Sequence, residues 1–138
     1  MTHAHGLVIG KFYPPHAGHH HLVRVAASRV GRLTVVVMAA SVESLSLEER
    51  VAWMREEHAD DARITITGIV DDHPVDYESD AIWRAHVALM REAVRAVTDA
   101  PIDVVLTSEP YGDELGLRLG ARHELVDLSR TAFAISGT

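Results

Sequence analysis

Gly6–Val23, GLVIGKFYPPHAGHHHLV, is the stretch on which the reading of the fold turns. Leu7-Val8-Ile9 is a short apolar run of the kind that forms a buried parallel strand. Gly10 to Gly18, rich in Gly and Pro, neither continues a strand nor opens cleanly as a helix. From His19 onward Leu22, Val25 and Ala26 fall at helical spacing, and the helix is expected to run to about Arg29 and stop at Gly31. Strand, tight turn and helix together make an anion site. The first turn of a helix has unpaired N–H groups and a partial positive charge, and both favour phosphate. Lys11, His16 and His19 add side-chain donors at the same place.

His16 and His19 are three residues apart, so both can lie on one side of the first helical turn. Gly18 between them removes a side chain where a ligand would approach the backbone, and Pro14-Pro15 stiffen the loop. A loop with surface histidines is the competing reading, because the chain carries 10 His. The run His19-His20-His21 is not read as a metal site, since neighbouring side chains on a helix diverge by about 100°. With no Cys and no G-x-S-x-G turn, a covalent nucleophile is not indicated either.

GKFYPPHAGH resembles the HxGH signature of the nucleotidylyltransferases, and is most similar to nicotinamide-nucleotide adenylyltransferases of the NadR type. The resemblance implies an α/β fold, a Rossmann-like doubly wound parallel sheet of about five strands. It also implies transfer of AMP from ATP to nicotinamide mononucleotide (NMN), giving NAD and pyrophosphate, with Mg²⁺ accompanying ATP. Catalysis would rest on His16, His19 and Lys11, with Gly10, Phe12, Tyr13 and Gly18 at the ATP.

Further stretches extend the resemblance along the chain. SVESLSLEERVAWM is similar to a Ser-rich loop followed by a Glu-Arg pair, which implies contacts from Ser41 and Arg50 to the nicotinamide nucleotide. On local grounds Arg50 is instead an ion-pair partner of Glu43, Glu48 or Glu49. DAIWRAHV resembles the stretch whose Trp stacks on the nicotinamide ring, which would be Trp83 with Asp80 near the ring; helical periodicity alone makes Trp83 a core residue. TSEPYGDELG is similar to the motif that shapes the nucleotide cleft, and brings in Glu109, Tyr111, Gly112 and Asp113. The terminal ISGT resembles a phosphate-binding signature and places Ser136, Gly137 and Thr138 on ATP. In the family an Arg follows that signature, so residues 1–138 are expected to be one nucleotidylyltransferase domain cut at ISGT, with a following kinase domain left open.

The remaining elements follow from periodicity and capping. Leu33–Met38 is a central strand. Ser46 with Glu49 forms a capping box opening a helix with Leu47, Val51, Met54 and His58 on one stripe. Arg63–Thr67 is a strand, and Gly68–Tyr77 a loop. Ser79 or Asp80 caps a helix to about Thr98. Ile102–Leu106 and His123–Leu128 are strands flanking a helix from Asp113 to Leu119. Asp71, Asp72 and Asp76 are read as a solvated acidic loop, with a carboxylate metal site as the lesser alternative, and no protein-held metal is expected.

The 138 residues suit one domain with a real core, and a net charge of −7 argues against a nucleic-acid partner. No stretch approaches the roughly 20 apolar residues of a membrane span. The absence of Cys is compatible with a reducing cytoplasm, the expected location. Oligomeric state is open, a homo-oligomer included, as is the choice between the amide and acid forms of the mononucleotide. Two rival readings stand beside the NMN one. The first is adenylyl or cytidylyl transfer to another phosphorylated acceptor, and the second is a non-catalytic sensor binding NAD or ATP.

Overall fold

The structure, a computed structural model, describes residues 3–126. Strands and helices alternate in the order β1 (His3–Gly10), α1 (Ala17–Ala27), β2 (Val30–Ala39), α2 (Leu47–Glu57), β3 (Ile64–Val70), α3 (Asp80–Arg95), β4 (Val104–Thr107), α4 (Gly112–Leu119) and β5 (Arg122–Leu125). The strands form one sheet in the order β3-β2-β1-β4-β5, every neighbouring pair parallel. This is the doubly wound, Rossmann-like arrangement the sequence leads one to expect.

Alternation along the strands sorts the core into two layers. Val8, Val35, Val37 and Ile66 face α1 and α2, where Val23, Ala26, Val51 and Met54 meet them. Leu7, Val36, Met38 and Val105 face α3 and α4, against Trp83, Val87, Met90 and Leu115. Burial on both faces is why β2 reads as an unbroken apolar run rather than an alternating one. Each fully buried aliphatic side chain contributes about 1.5–3 kcal/mol.

The boundaries depart from the sequence reading in several places. α1 ends at Ala27, and Gly31 is not its terminator but lies within β2. Ladder pairing decides this, because Val30 is fully buried opposite His3 at the start of β1. Gly68 belongs to β3, paired with Val37, so the acidic loop begins only at Asp71. β4 begins at Val104 and not at Ile102.

The order of strands reverses between β1 and β4, so the ligand crevice of such a sheet opens above the carboxyl ends of these two strands. The turns after β1, β2, β3 and β4 all emerge at that edge. Among the described residues no helix is long and apolar enough to cross a membrane.

Candidate functional site

His16 is the N-cap of α1, in extended conformation, and the cap is reciprocal. Its Nδ1 accepts the backbone N–H of Gly18 at 3.0 Å and of His19 at 3.4 Å, while His19 Nδ1 accepts the backbone N–H of His16 at 3.2 Å. The two rings stack with centroids 3.6 Å apart. A side chain on Gly18 would come within 2.9 Å of the His16 ring, so only Gly lets the imidazole lie over the helix start. Each Nδ1 is used as an acceptor, which puts the hydrogen of each neutral ring on Nε2. Burial, with the neighbouring His16 and His20 adding to it, lowers His19 from 6.5 to about 4. His19 is therefore neutral at pH 7, and the two rings turn their Nε2 atoms away from the cap beside the positive end of a helix.

The turn before the pair is held from below. Phe12 is in the left-handed region at φ 48°, which costs a non-glycine residue about 1–2 kcal/mol. Its buried ring packs edge-on to His19, with centroids 5.0 Å apart. Arg50 is fully buried under this turn. Its guanidinium donates to the carbonyls of Leu45 and Lys11 and to Glu43, and lies 4.5 Å from the Tyr13 ring centroid. The local reading of Arg50 as an ion-pair partner thus holds with Glu43. Its expected contact to a nicotinamide nucleotide does not fit, because its nitrogens are already occupied within the protein. Lys11 pairs with the other Glu43 oxygen at 2.7 Å. Burial pushes the Glu43 carboxyl up, but the hydrogen bonds from Lys11 and Arg50 outweigh it and hold the group at about 2. Tyr13 is tied to Ser44, accepting its backbone N–H at 2.8 Å.

Beside this turn is a largely apolar cavity of about 260 Å³. Gly10 and Lys11 form its β1 side, Trp83 and His86 come from α3, Tyr111 precedes α4, and Asp71, His73 and Tyr77 come from the loop after β3. Trp83 is both core and wall: it is 7% exposed, and its indole N–H donates to the Tyr77 carbonyl at 3.0 Å. Tyr77 stacks on Tyr111 with centroids 6.0 Å apart, and burial raises the Tyr111 hydroxyl to about 12. An aromatic cavity of this kind accepts a flat ring.

The other expected residues are engaged elsewhere. Asp80 is exposed and pairs with Arg84 and Arg118, not with the cavity. Ser41 donates through its backbone N–H and its hydroxyl to Asp72, each at 2.6 Å. The Glu109 backbone closes a turn with Thr107. Gly112 and Asp113 surround His123, whose Nδ1 lies 2.8 Å from Asp113 and whose Nε2 lies 2.9 Å from Thr107. A Cβ on Gly112 would fall 2.0 Å from that ring, so its glycine serves His123. Ser136, Gly137 and Thr138 lie outside the described residues.

Sequence reasoning passed over Tyr77 and the grouping of Asp71, His73 and His86. Asp71, Asp72 and Asp76 do not act as one solvated patch. Asp71 is buried, Asp72 binds Ser41, and Asp76 accepts the backbone N–H of Glu78. The Asp-x-His spacing of Asp71 and His73 was visible, but nothing local pointed to His86, 15 residues from Asp71 on α3.

The model of the cytidylyltransferase-like family matches residues 7–107. Solved structures with a similar fold include NadR protein in complex with NAD and AMP-PNP. Its TM-score is 0.70 at 22% identity, over 95% of this chain and 40% of that one. NadR in complex with NR gives a TM-score of 0.71 at 22% identity, over 96% and 39%. A bifunctional NMN adenylyltransferase/ADP ribose pyrophosphatase from Francisella tularensis, complexed with AMP and Mn ion, gives 0.62 at 18% identity, over 90% and 37%. The chain thus spans 40% or less of the length of these three proteins, and at such identities the likeness is one of fold.

Proposed function

The chain belongs to the cytidylyltransferase-like family, and from that premise we propose that it transfers AMP from ATP to nicotinamide mononucleotide, forming NAD and pyrophosphate. The observation that carries the reading is the stacked His16–His19 pair, with both Nε2–H groups free of the cap, next to a cavity walled by Trp83, Tyr77 and Tyr111. Two fold neighbours, crystallised with NAD and AMP-PNP and with NR, support a nicotinamide-bearing ligand.

The two imidazoles donate through Nε2–H to the triphosphate where charge builds up in the transition state, beside the positive end of α1, whose Gly18 and His19 amides are taken by the His16 cap. Because the cap already orients them, they need no reorganisation at the moment of transfer. The phosphate of the mononucleotide attacks the α-phosphorus in line, the bond to pyrophosphate breaks, and pyrophosphate leaves with the electron pair. A phosphate is already a nucleophile, so positioning and charge stabilisation suffice without a general base. A His19 that is neutral at pH 7 suits a donor role and not proton shuttling. Trp83 and Tyr111 would border the pyridinium ring, a flat cation that favours aromatic faces. Mg²⁺ would come bound to the phosphate oxygens and neutralise their charge, because Glu43, the carboxylate built into this turn, is already committed to Lys11 and Arg50.

The test is NAD formation by the full chain from ATP and NMN. We expect turnover that falls roughly a hundredfold in His19→Ala, the typical loss of one oxyanion donor, with the fold intact. Faster reaction with CTP in place of ATP, or with phosphopantetheine in place of NMN, overturns the choice of substrates. Binding of NAD or ATP without turnover overturns the enzyme reading in favour of a sensor.

A further inference from the structure

Asp71, His73 and His86 offer one ligand atom each, all within 4.8 Å of one another. They come from two segments: Asp71 and His73 from the loop after β3, and His86 from the second turn of α3. Asp71 is the buried member, 6% exposed, and among the described residues neither Lys nor Arg is bonded to it. A buried carboxylate calls for a cation. One oxygen faces His73 Nδ1 at 2.9 Å and the other faces His86 Nδ1.

The bonding of His86 adds an independent constraint. Its Nε2 lies 2.9 Å from the Pro74 carbonyl oxygen, which can only accept, so Nε2 carries the hydrogen. Its Nδ1 then meets the Asp71 carboxylate, a second group that only accepts. A neutral imidazole has one hydrogen and cannot serve both. A metal ion bound by Nδ1 and the carboxylate, once the two draw apart to coordination distance, satisfies both groups. The bond to Pro74 is also the support that metal-bound histidines usually have, an outward N–H on a backbone carbonyl that sets tautomer and ring orientation.

We propose that Asp71, His73 and His86 form a binding site for a divalent transition-metal ion of the Zn²⁺ class. Two imidazoles and one carboxylate are a borderline donor set that suits Zn²⁺, Co²⁺ or Fe²⁺ and suits Mg²⁺ poorly. Three protein ligands leave coordination positions open, and all three residues line the cavity, so those positions face it. The ion clips the loop after β3 to α3. That loop delivers the Tyr77 carbonyl to Trp83, so the clip also sets the cavity wall. The site is distinct from the Mg²⁺ that accompanies ATP, and its existence does not depend on the nucleotidyl-transfer reading.

The experiment uses the full chain, stripped with chelator and free of nucleotide. Zn²⁺ is titrated by calorimetry, and Co²⁺ is followed by its visible absorption. We expect a tight Zn²⁺ site that excess Mg²⁺ does not displace. Its affinity should fall about tenfold or more in His73→Ala, and the Co²⁺ band should be lost in His86→Gln. His73 is exposed, so its replacement leaves the fold standing. Zn²⁺ should raise the melting temperature of the parent chain by several degrees and that of His73→Ala by much less. His16→Asn, at the stacked histidine pair, should bind Zn²⁺ as the parent does. Absence of Zn²⁺ binding overturns the site. Equal affinity in the parent, His73→Ala and His86→Gln overturns it as well, and assigns any bound ion to other histidines.

Discussion

His16 and His19 reach each other within one helical turn, whereas the wall opposite is assembled from a strand end, a loop, a helix face and the turn before another helix. The first region takes its geometry from its own chemistry. A histidine caps a helix, a glycine makes room for the ring, and the next histidine returns the bond. The second region exists only because β3 and β4 lie on either side of the β2-β1 pair, bringing Asp71 and Tyr77 to the same cavity as Tyr111. The difference implies two kinds of fragility. Damage to the first should remove chemistry and leave the fold. Damage to the second should cost stability first, because its walls are also core.

The largest expected effect is on that shared wall. Trp83→Ala should destabilise the chain by about 3–5 kcal/mol, the usual cost of emptying a buried aromatic site, read by urea unfolding. A loss below about 1 kcal/mol would mean the cavity is not part of the core, and the contrast drawn above would fail.

A smaller effect separates capping from chemistry within the first region. His16→Ala removes the N-cap and should cost about 1 kcal/mol, whereas His16→Asn keeps an N-cap acceptor and should melt close to the parent. Both lose the imidazole donor, so NAD formation should fall alike in the two. Retained activity in the Asn variant would make His16 only a cap.

Acid supplies a pH-dependent test of the same contrast. The folded His19 has its pKa lowered from 6.5 to about 4, chiefly by burial. Its stabilising contribution is complete above pH 6.5, declines as the unfolded chain takes up a proton that the folded chain refuses, and is gone once pH has fallen through 4. Protonation at Nδ1 also removes the acceptor for the His16 backbone N–H. Amide protection factors at residues 16–19, corrected for the intrinsic pH dependence of exchange, should therefore fall between pH 6.5 and 4 while the Trp83 indole N–H stays protected. Simultaneous loss of both would show that the two regions open as one unit.

What could be read from the chain follows the same division. Helix starts were legible because their signals are local. Ser46 with Glu49 closes the capping box that its spacing announces, and Ser79 caps α3. The placing of His16 and His19 side by side was legible for the same reason. Strand limits were less so: Gly31 and Gly68 look like breakers, yet each lies in a parallel ladder, where pairing outweighs local preference. Arg50 carried two incompatible readings, and only its complete burial, with Glu43 on one side and the Leu45 and Lys11 carbonyls on the others, decides against a ligand contact.

The alternation of apolar strands with amphipathic helices determined a parallel sheet covered on both faces, and the spacing of His16 and His19 determined that the two rings meet at the start of α1. Both are properties of near neighbours in the chain, set by hydrogen bonds and burial that span a few residues. Which aromatic groups wall the cavity, what Asp80, Ser41 and Asp113 bind, and that a buried carboxylate meets two imidazoles were decided by the tertiary structure alone. Those contacts join segments that the sheet order brings together, and spacing along the chain holds no record of them.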